Sequence, residues 1–437
     1  MNLMTQLAAR VASDRPVRAV LIGAGKFGSM FLSQVPTIEG IEVAAIVDLD
    51  LERARQACRS VGWDDARIAK TRFAEKLATV LGDDVDVLIE ATGNPAAGIA
   101  HALEAIAARK AIVMVNVEAD VLAGPLLARK AREADVVYSM AYGDQPALIA
   151  ELVDWARATG FHVTSAGKGT KYLPAYHQVT PADVWSHYGL TPEEARKAGM
   201  NPQMFNSFLD GTKSALEMAA VANACELAVP EDGLLFPSCG VDDLPQILRA
   251  RADGGLLEKD ATVEVVSSLE RDGRPVFRDL RWGVYVVMRA PNDYAAACFK
   301  QYGVRTDSTG RFAALYRPYH MIGLELSVSV LHAALNHQPT GATRAWRGDV
   351  AAVAKRDLAA GEMLDGEGGY TVYGKLIPSE RSLREGALPI GLAHGAKLLR
   401  PVAAGGIVRA VDVDLKETPA LAVRRQMETE ARGAIAA

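Results

Sequence analysis

Cysteine is scarce in this chain: four in 437 residues, Cys58, Cys225, Cys239 and Cys298, with no Cys-x-x-Cys pair. That scatter excludes a disulfide framework and a cysteine-based structural zinc, and it points to a reduced, cytoplasmic setting. An excess of positive charge is also lacking. Lys and Arg number 48 against 53 Asp and Glu, a net charge of −5, so no nucleic-acid partner is expected. No apolar run approaches the roughly 20 residues of a membrane span. Residues Met1 to Arg15 include Arg10, Asp14 and Arg15 but lack the apolar centre of a signal peptide. There is no internal repeat and no low-complexity tract. What remains is a chain long enough for two or three domains, 49% hydrophobic, that should bury a large core and act on a small molecule.

The strongest local signal is Val17 to Gly28. An apolar strand, Val17 to Ile22, runs into Gly23-Ala24-Gly25-Lys26-Phe27-Gly28, and Asp48 ends the next strand, Ile41 to Val47. This order is a dinucleotide-binding fingerprint. Gly23 allows the tight turn, Gly25 lets backbone approach a pyrophosphate, and Gly28 brings the following helix, Phe27 to Val35, close to the sheet. Lys26 and Phe27 lie inside the loop, where phosphates would rest on unpaired helix N–H groups. Asp48 can accept from a ribose 2′-hydroxyl, which favours NAD over NADP, although NADP stays open because Arg53 and Arg55 follow. Both arginines also suit a solvated helix face.

The rest of the first third alternates. Helix Leu51 to Ser60, strand Val85 to Ala91, helix Ala97 to Ala108, strand Ala111 to Asn116, helix Ala123 to Glu133 and strand Val136 to Tyr142 are expected. The β-branched runs and the βαβ order predict a doubly wound parallel sheet of Rossmann type. Ligands should then gather beyond the strand ends, at Thr92-Gly93, Asn116 to Glu118, and Asp144. A second, mixed α/β catalytic domain follows: helix Ala147 to Thr159, strand His162 to Ala166, a Gly167-Lys168-Gly169 loop, an insertion over about 170–200, helix Ser214 to Ala224, and strands Thr262 to Ser267 and Trp282 to Met288. Helix Ile322 to Leu335 would be core or a dimer interface, and a linker, His337 to Gly348, leads to a small β-rich domain. The expected division is 1–145, 146–345 and 346–437.

Several blocks are more specific than the glycines: Val115 to Asp120, Ser165 to Gly169, Asp210 to Met218, Arg317-Pro318-Tyr319-His320 and Ala354 to Leu364. Taken in order, they resemble homoserine-dehydrogenase-like NAD(P)-dependent oxidoreductases that end in an SAF domain, and within these the deoxyxylulose-phosphate-reductoisomerase-like branch. The resemblance implies a small polyhydroxylated or hydroxy-keto acid, or a sugar phosphate, as substrate. It implies a homo-oligomer, dimer or tetramer, and a Mg²⁺- or Mn²⁺-type ion held by Asp144 and Glu217. It also places Lys213 on the substrate anion and Ser165 in an anion loop. The family's Asn-Lys-Glu triplet stands here as Asn116-Val117-Glu118, without its lysine.

The residue chemistry leaves alternatives open. Lys168, between two glycines, can polarise a carbonyl or move a proton, or be an exposed turn lysine. Glu118 suits cofactor or substrate contact, or a helix cap. Lys213 and Glu217 share a helix face and can be a simple i,i+4 pair. Asp144 can cap the helix beginning at Pro146. Arg317 can bind an anion bidentately and His320 relay a proton, or both can serve an interdomain contact. Asp210 reads as a turn residue, and His177 and His187 are isolated. Two rivals stand beside the reductoisomerase-like reading: a simple homoserine-type dehydrogenase without rearrangement, and a non-catalytic nucleotide-binding protein.

Overall fold

The structure is a computed structural model that describes residues 2–436. The chain forms two compact units: Met1–Glu151 with His320–Arg344, and Leu152–Tyr319 with Ala345–Ala437.

The first unit is built on six strands: β1 (Val17–Ile22), β2 (Ile41–Val47), β3 (Arg72–Ala74), β4 (Val87–Glu90), β5 (Ala111–Met114) and β6 (Tyr138–Met140). Their order, β3-β2-β1-β4-β5-β6, with every pairing parallel, is the doubly wound arrangement whose direction reverses between β1 and β4. Helices α1 (Lys26–Gln34), α2 (Leu51–Ser60), α3 (Pro95–Ala107), α4 (Val117–Glu133) and α5 (Gln145–Ala158) connect or follow the strands. The strands are continuous apolar runs because both sheet faces are covered; Val17, Leu21, Ile46 and Ile89 are fully buried.

Helix α4 starts six residues earlier than expected, because Asn116 caps it through Ala119 N–H at 3.0 Å. The expected helix Ile322 to Leu335 is shorter, Ser327–Leu331, followed by a π turn over His332–Asn336. Leu326, Val330, Leu331 and Ala333 pack into the same core as β1.

The second unit centres on β7 (His162–Thr170), β8 (Thr262–Ser267), β9 (Val284–Arg289) and β10 (Phe312–Arg317), ordered β10-β9-β7-β8. Here the sequence expectation is corrected. Gly167-Lys168-Gly169 is not a loop but the second half of the central strand, paired to β8 on one side and β9 on the other. The glycines serve the neighbours: a Cβ on Gly167 would lie 1.7 Å from the Glu264 carbonyl oxygen, and one on Gly169 would lie 1.9 Å from that of Leu280. They permit close backbone approach rather than a turn.

Helix α6 (Thr212–Cys225) is buried along its length apart from the half-buried Lys213. Strands β11 (Gly348–Ala354) and β12 (Val372–Pro378) pair antiparallel and pack against α6. Asn223 of α6 accepts from Arg347 and Gly348 N–H at 2.7 and 2.9 Å. Residues 345–437 therefore share a unit with 152–319, where a separate segment 346–437 was expected. The expected strand–turn–strand over Ala351 to Leu364 is also corrected, since β11 pairs with β12 and not with the residues after its turn. The chain ends in helix α7 (Pro419–Ala436), held by Arg424, whose buried guanidinium grips the Asp349 carboxylate at 2.5 and 3.2 Å.

Candidate functional site

In the first unit, the glycine loop sits at the end of β1. Gly23 has φ +93°, and a Cβ there would lie 2.9 Å from the Ala91 carbonyl oxygen. A Cβ on Gly28 would lie 2.4 Å from the Gly23 carbonyl oxygen, so only glycine brings α1 this close. Gly25 differs: nothing lies within 4 Å of a Cβ built there. It is the N-cap of α1 with no side-chain cap, next to helix N–H groups that lack intrahelical partners. Lys26 is exposed and Phe27 half-buried on the first helical turn.

Asp48 is buried and does more than await a ribose. Its Oδ2 accepts from Ala24 N–H at 2.9 Å, and its Oδ1 accepts from Asp50 N–H at 3.0 Å and the Arg53 guanidinium at 2.8 Å. Burial works to raise its pKa, but the Asp50 and Ala24 donors with Arg53 outweigh it and hold the carboxyl below its usual value. Asp48 thus ties the glycine loop to the end of β2. Arg53 is not merely a solvated residue, while Arg55 pairs with Glu52 and covers the Phe73 ring.

At the ends of β4 and β5 lies a cluster that the sequence reading only half saw. Glu90 is fully buried. Its Oε1 accepts from Thr92 Oγ1 at 2.5 Å and lies 3.2 Å from His101 Nδ1. Its Oε2 has no hydrogen-bond partner among the described residues. Asn116 is buried; besides capping α4, its amide donates to the Asn94 carbonyl at 2.9 Å. Gly93, at φ +68°, leaves open space, as Gly25 does. Glu118 is half-buried on the first turn of α4. Glu90 and His101 were missed. A carboxylate closing an apolar strand, with a histidine on the helix that follows, was the available signal.

These residues fit a dinucleotide. The Gly25 cradle is one that a side chain would fill, and an orphaned buried acceptor at the strand edge suits a ligand donor. Asp144 directly precedes α5, its Oδ1 accepting from Gln145 N–H at 2.8 Å and its carbonyl from Leu148 N–H at 3.2 Å. The backbone carbonyl thus starts the helix, while the side chain bonds the adjacent N–H and not the second or third one that a capping carboxylate takes. His320, half-buried, belongs to this first unit.

In the second unit, Lys168 and Glu217 form a buried ion pair, Lys168 from β7 and Glu217 from α6. The pairing corrects the expectation that Glu217 works with Lys213 of its own helix. Ser165 is fully buried in β7, its hydroxyl 3.4 Å from that of Tyr285, so it belongs to a strand and not to an anion loop. Arg317 ends β10 and stacks over Tyr319 at 4.8 Å.

Asp210 is no simple turn residue. It is fully buried and pairs with Lys355 Nζ at 2.8 Å, and the same ammonium donates to the Val179 and Gly369 carbonyls. Burial raises the Asp210 pKa, with Lys355 opposing it. His177 is not isolated either. Its ring bridges the Tyr172 hydroxyl at 2.9 Å and the Asp210 carbonyl at 2.7 Å, stacks on Tyr373, and burial lowers its pKa.

The expected metal site is not supported. Among the described residues no group of three or more His, Cys, Asp or Glu could hold an ion. Glu217 already faces an ammonium.

Residues 17–119 match the model of the oxidoreductase family GFO/IDH/MocA, NAD-binding Rossmann fold, and residues 143–326 match that of oxidoreductase DRL, catalytic domain. Neither reaches the last hundred or so residues, where the SAF-like segment was expected. No curated protein matches the chain. Among solved structures it is similar to a probable dehydrogenase from Thermotoga maritima, at 13% identity over 74% of this chain and 90% of that one, TM-score 0.37. It is also similar to the myo-inositol dehydrogenase of Lactobacillus casei in complex with NAD(H) and myo-inositol, at 17% identity over 39% and 50%, TM-score 0.28. A third is a mutant 3-ketoreductase of Actinomadura kijaniata with TDP-benzene and NADP, at 16% identity over 38% and 55%, TM-score 0.26. The chain spans about half the length of the ketoreductase and inositol dehydrogenase structures. The chain thus carries a segment that matches an NAD-binding Rossmann oxidoreductase model, followed by one that matches an oxidoreductase catalytic domain.

Proposed function

We propose that the enzyme moves hydride between NAD(P) and a CH–OH carbon of a small polyhydroxylated or hydroxy-keto acid, free or phosphorylated, with Lys168 moving the hydroxyl proton. The observation that carries this reading is the Lys168–Glu217 pair, with both partners buried within the catalytic segment. NAD(P), when bound, supplies or takes the hydride. A lysine held by a carboxylate on a central strand is fixed in position and kept from bulk water, as a proton-transferring group needs. Gly23, Gly25, Lys26, Phe27, Gly28, Thr92, Gly93 and Asn116 hold the cofactor, and Asp48 favours NAD by repelling a 2′-phosphate. Glu118 is assigned to cofactor or substrate contact, and Lys213 and Arg317, both in the second unit, are assigned to the substrate's anionic group. The proposal assumes a homo-oligomer.

The reductoisomerase-like form of this reading adds a carbon-skeleton shift to the same hydride transfer, and rests on the resemblance of the Asp210 to Met218 block. The simple dehydrogenase form has a specific observation in its favour, the Glu217 carboxylate held by the Lys168 ammonium. The test is a turnover screen of linear and branched sugar acids, free and phosphorylated, with NAD and NADP. Carbon-13 spectra of the product report the skeleton. NAD(P)-dependent turnover of at least one such acid is expected. Absence of turnover across the whole class, with activity on a simple alcohol or amine instead, would refute the substrate class.

A further inference from the structure

A cavity of about 650 Å³ lies in the last part of the chain, walled by the turn after helix Ser379–Glu385, by residues 409–415 and by α7. Both matched segments end before it. Its volume is that of a small-molecule site, roughly 300–1,000 Å³. The floor is apolar, with Leu388, Leu392 and Leu421. The rim is basic, although the chain as a whole is acidic.

Charge accounting gives the cavity its character. Arg424 is spent on Asp349 and Glu428, and Arg425 on Glu417. The lining acid Glu385 is paired with Arg381, leaving Asp414 as the lining carboxylate outside any ion pair among the described residues. Arg384, Arg409 and Arg432 also line the cavity, and among the described residues none has a carboxylate in ion-pair range. Three arginines facing one cavity with a single uncommitted acid leave a local excess of positive charge. Unpaired guanidiniums around a concave, apolar-floored site are what recognition of carboxylate or phosphate oxygens requires.

We propose that this cavity binds a small organic polyanion, a molecule with two or more carboxylate or phosphate groups on a short carbon frame, held by Arg384, Arg409 and Arg432. The floor takes the carbon frame and the arginines take the anionic ends. The site is independent of the hydride-transfer reading and of its residues.

The test is calorimetric titration of the full chain with three probes: citrate, fructose 1,6-bisphosphate and inorganic pyrophosphate. At least one organic probe is expected to bind with a Kd at or below roughly 1 mM, more weakly as salt is raised. Tighter binding of citrate assigns carboxylates, and tighter binding of fructose 1,6-bisphosphate assigns phosphate. Each of Arg384→Ala, Arg409→Ala and Arg432→Ala should weaken binding about tenfold or more, the effect of one lost charge-assisted hydrogen bond. Arg409→Lys should keep part of the affinity. All three side chains are exposed and unpaired, so the variants should fold. The proposal is overturned if no organic probe binds the unmodified chain, if pyrophosphate alone binds, or if the triple alanine variant binds as tightly as the parent.

Discussion

Gly25→Ala and Gly28→Ala, changes three residues apart in one motif, should fail in opposite ways. At Gly25 the backbone has φ −76°, open to any L-residue, and the added methyl meets nothing within 4 Å. Alanine caps a helix less well than glycine, by about 0.5–1 kcal/mol, while the lost freedom of the unfolded chain returns about 0.4–1 kcal/mol. Stability should stay within about 1 kcal/mol of the parent. The methyl stands where the pyrophosphate must approach. Losing one charge-assisted backbone bond there, about 1.5–3 kcal/mol, weakens NAD(H) binding roughly 10- to 100-fold. At Gly28 the methyl would lie 2.4 Å from the Gly23 carbonyl oxygen, a backbone atom that cannot swing aside. Overpacking of that kind costs about 1–3 kcal/mol, and a unit of this size loses about 2–4 °C of Tm per kcal/mol. The assays are thermal unfolding without cofactor and a fluorescence titration with NADH. If Gly25→Ala unfolds early yet binds NADH normally, the reasoning about the loop is wrong.

Two further predictions concern the second unit. Glu264 is fully buried in β8, and burial pushes its carboxyl up to about 7 against the Val265, Leu235 and Phe236 N–H donors. A folded pKa above the unfolded one means that the native state binds more protons between pH 4.5 and 7. This contribution is full below the unfolded value and is lost as pH rises through 7, about 3 kcal/mol in all; Glu264→Gln should flatten that part of a urea-stability profile, and an unchanged slope would contradict it. Lys355→Met should cost about 3–5 kcal/mol, because it strands the buried Asp210 carboxylate. Adding Asp210→Asn should restore part of the loss in the same urea experiment, and strictly additive losses would show that the two do not interact.

The first unit was the more legible. Strands β1 and β2 and helix α2 fall where the sequence puts them, because β-branched runs, a Gly-x-Gly-x-x-Gly turn and capping acids are local signals. The glycine loop and Asp48 were legible as a strand-end turn and a strand-ending acid for the same reason. Their mutual bond, Asp48 to Ala24 N–H, was not, since it joins residues 24 apart. In the second unit, Gly167 and Gly169 look like turn residues, and only the positions of the Glu264 and Leu280 carbonyls reveal why a strand needs them. Glu217 has Lys213 one helical turn away in sequence, yet its partner is 49 residues distant. Asp210, read as a turn residue, meets Lys355 only after the segment from Ala345 onward joins the second unit. Each miss is a long-range pairing that no periodicity encodes.

The central claim is that Lys168 carries proton transfer in an NAD(P)-dependent oxidation, and one measurement tests it most directly. Single-turnover hydride transfer, followed as nicotinamide absorbance, is compared between the parent and the double variant Lys168→Met/Glu217→Gln, which leaves neither partner charged and buried. The account predicts a loss of at least about 100-fold in the hydride-transfer rate, the size expected for a missing acid–base group, with cofactor Kd within about twofold of the parent. A double variant that transfers hydride at the parental rate, or one that loses cofactor affinity in step with rate, would contradict it.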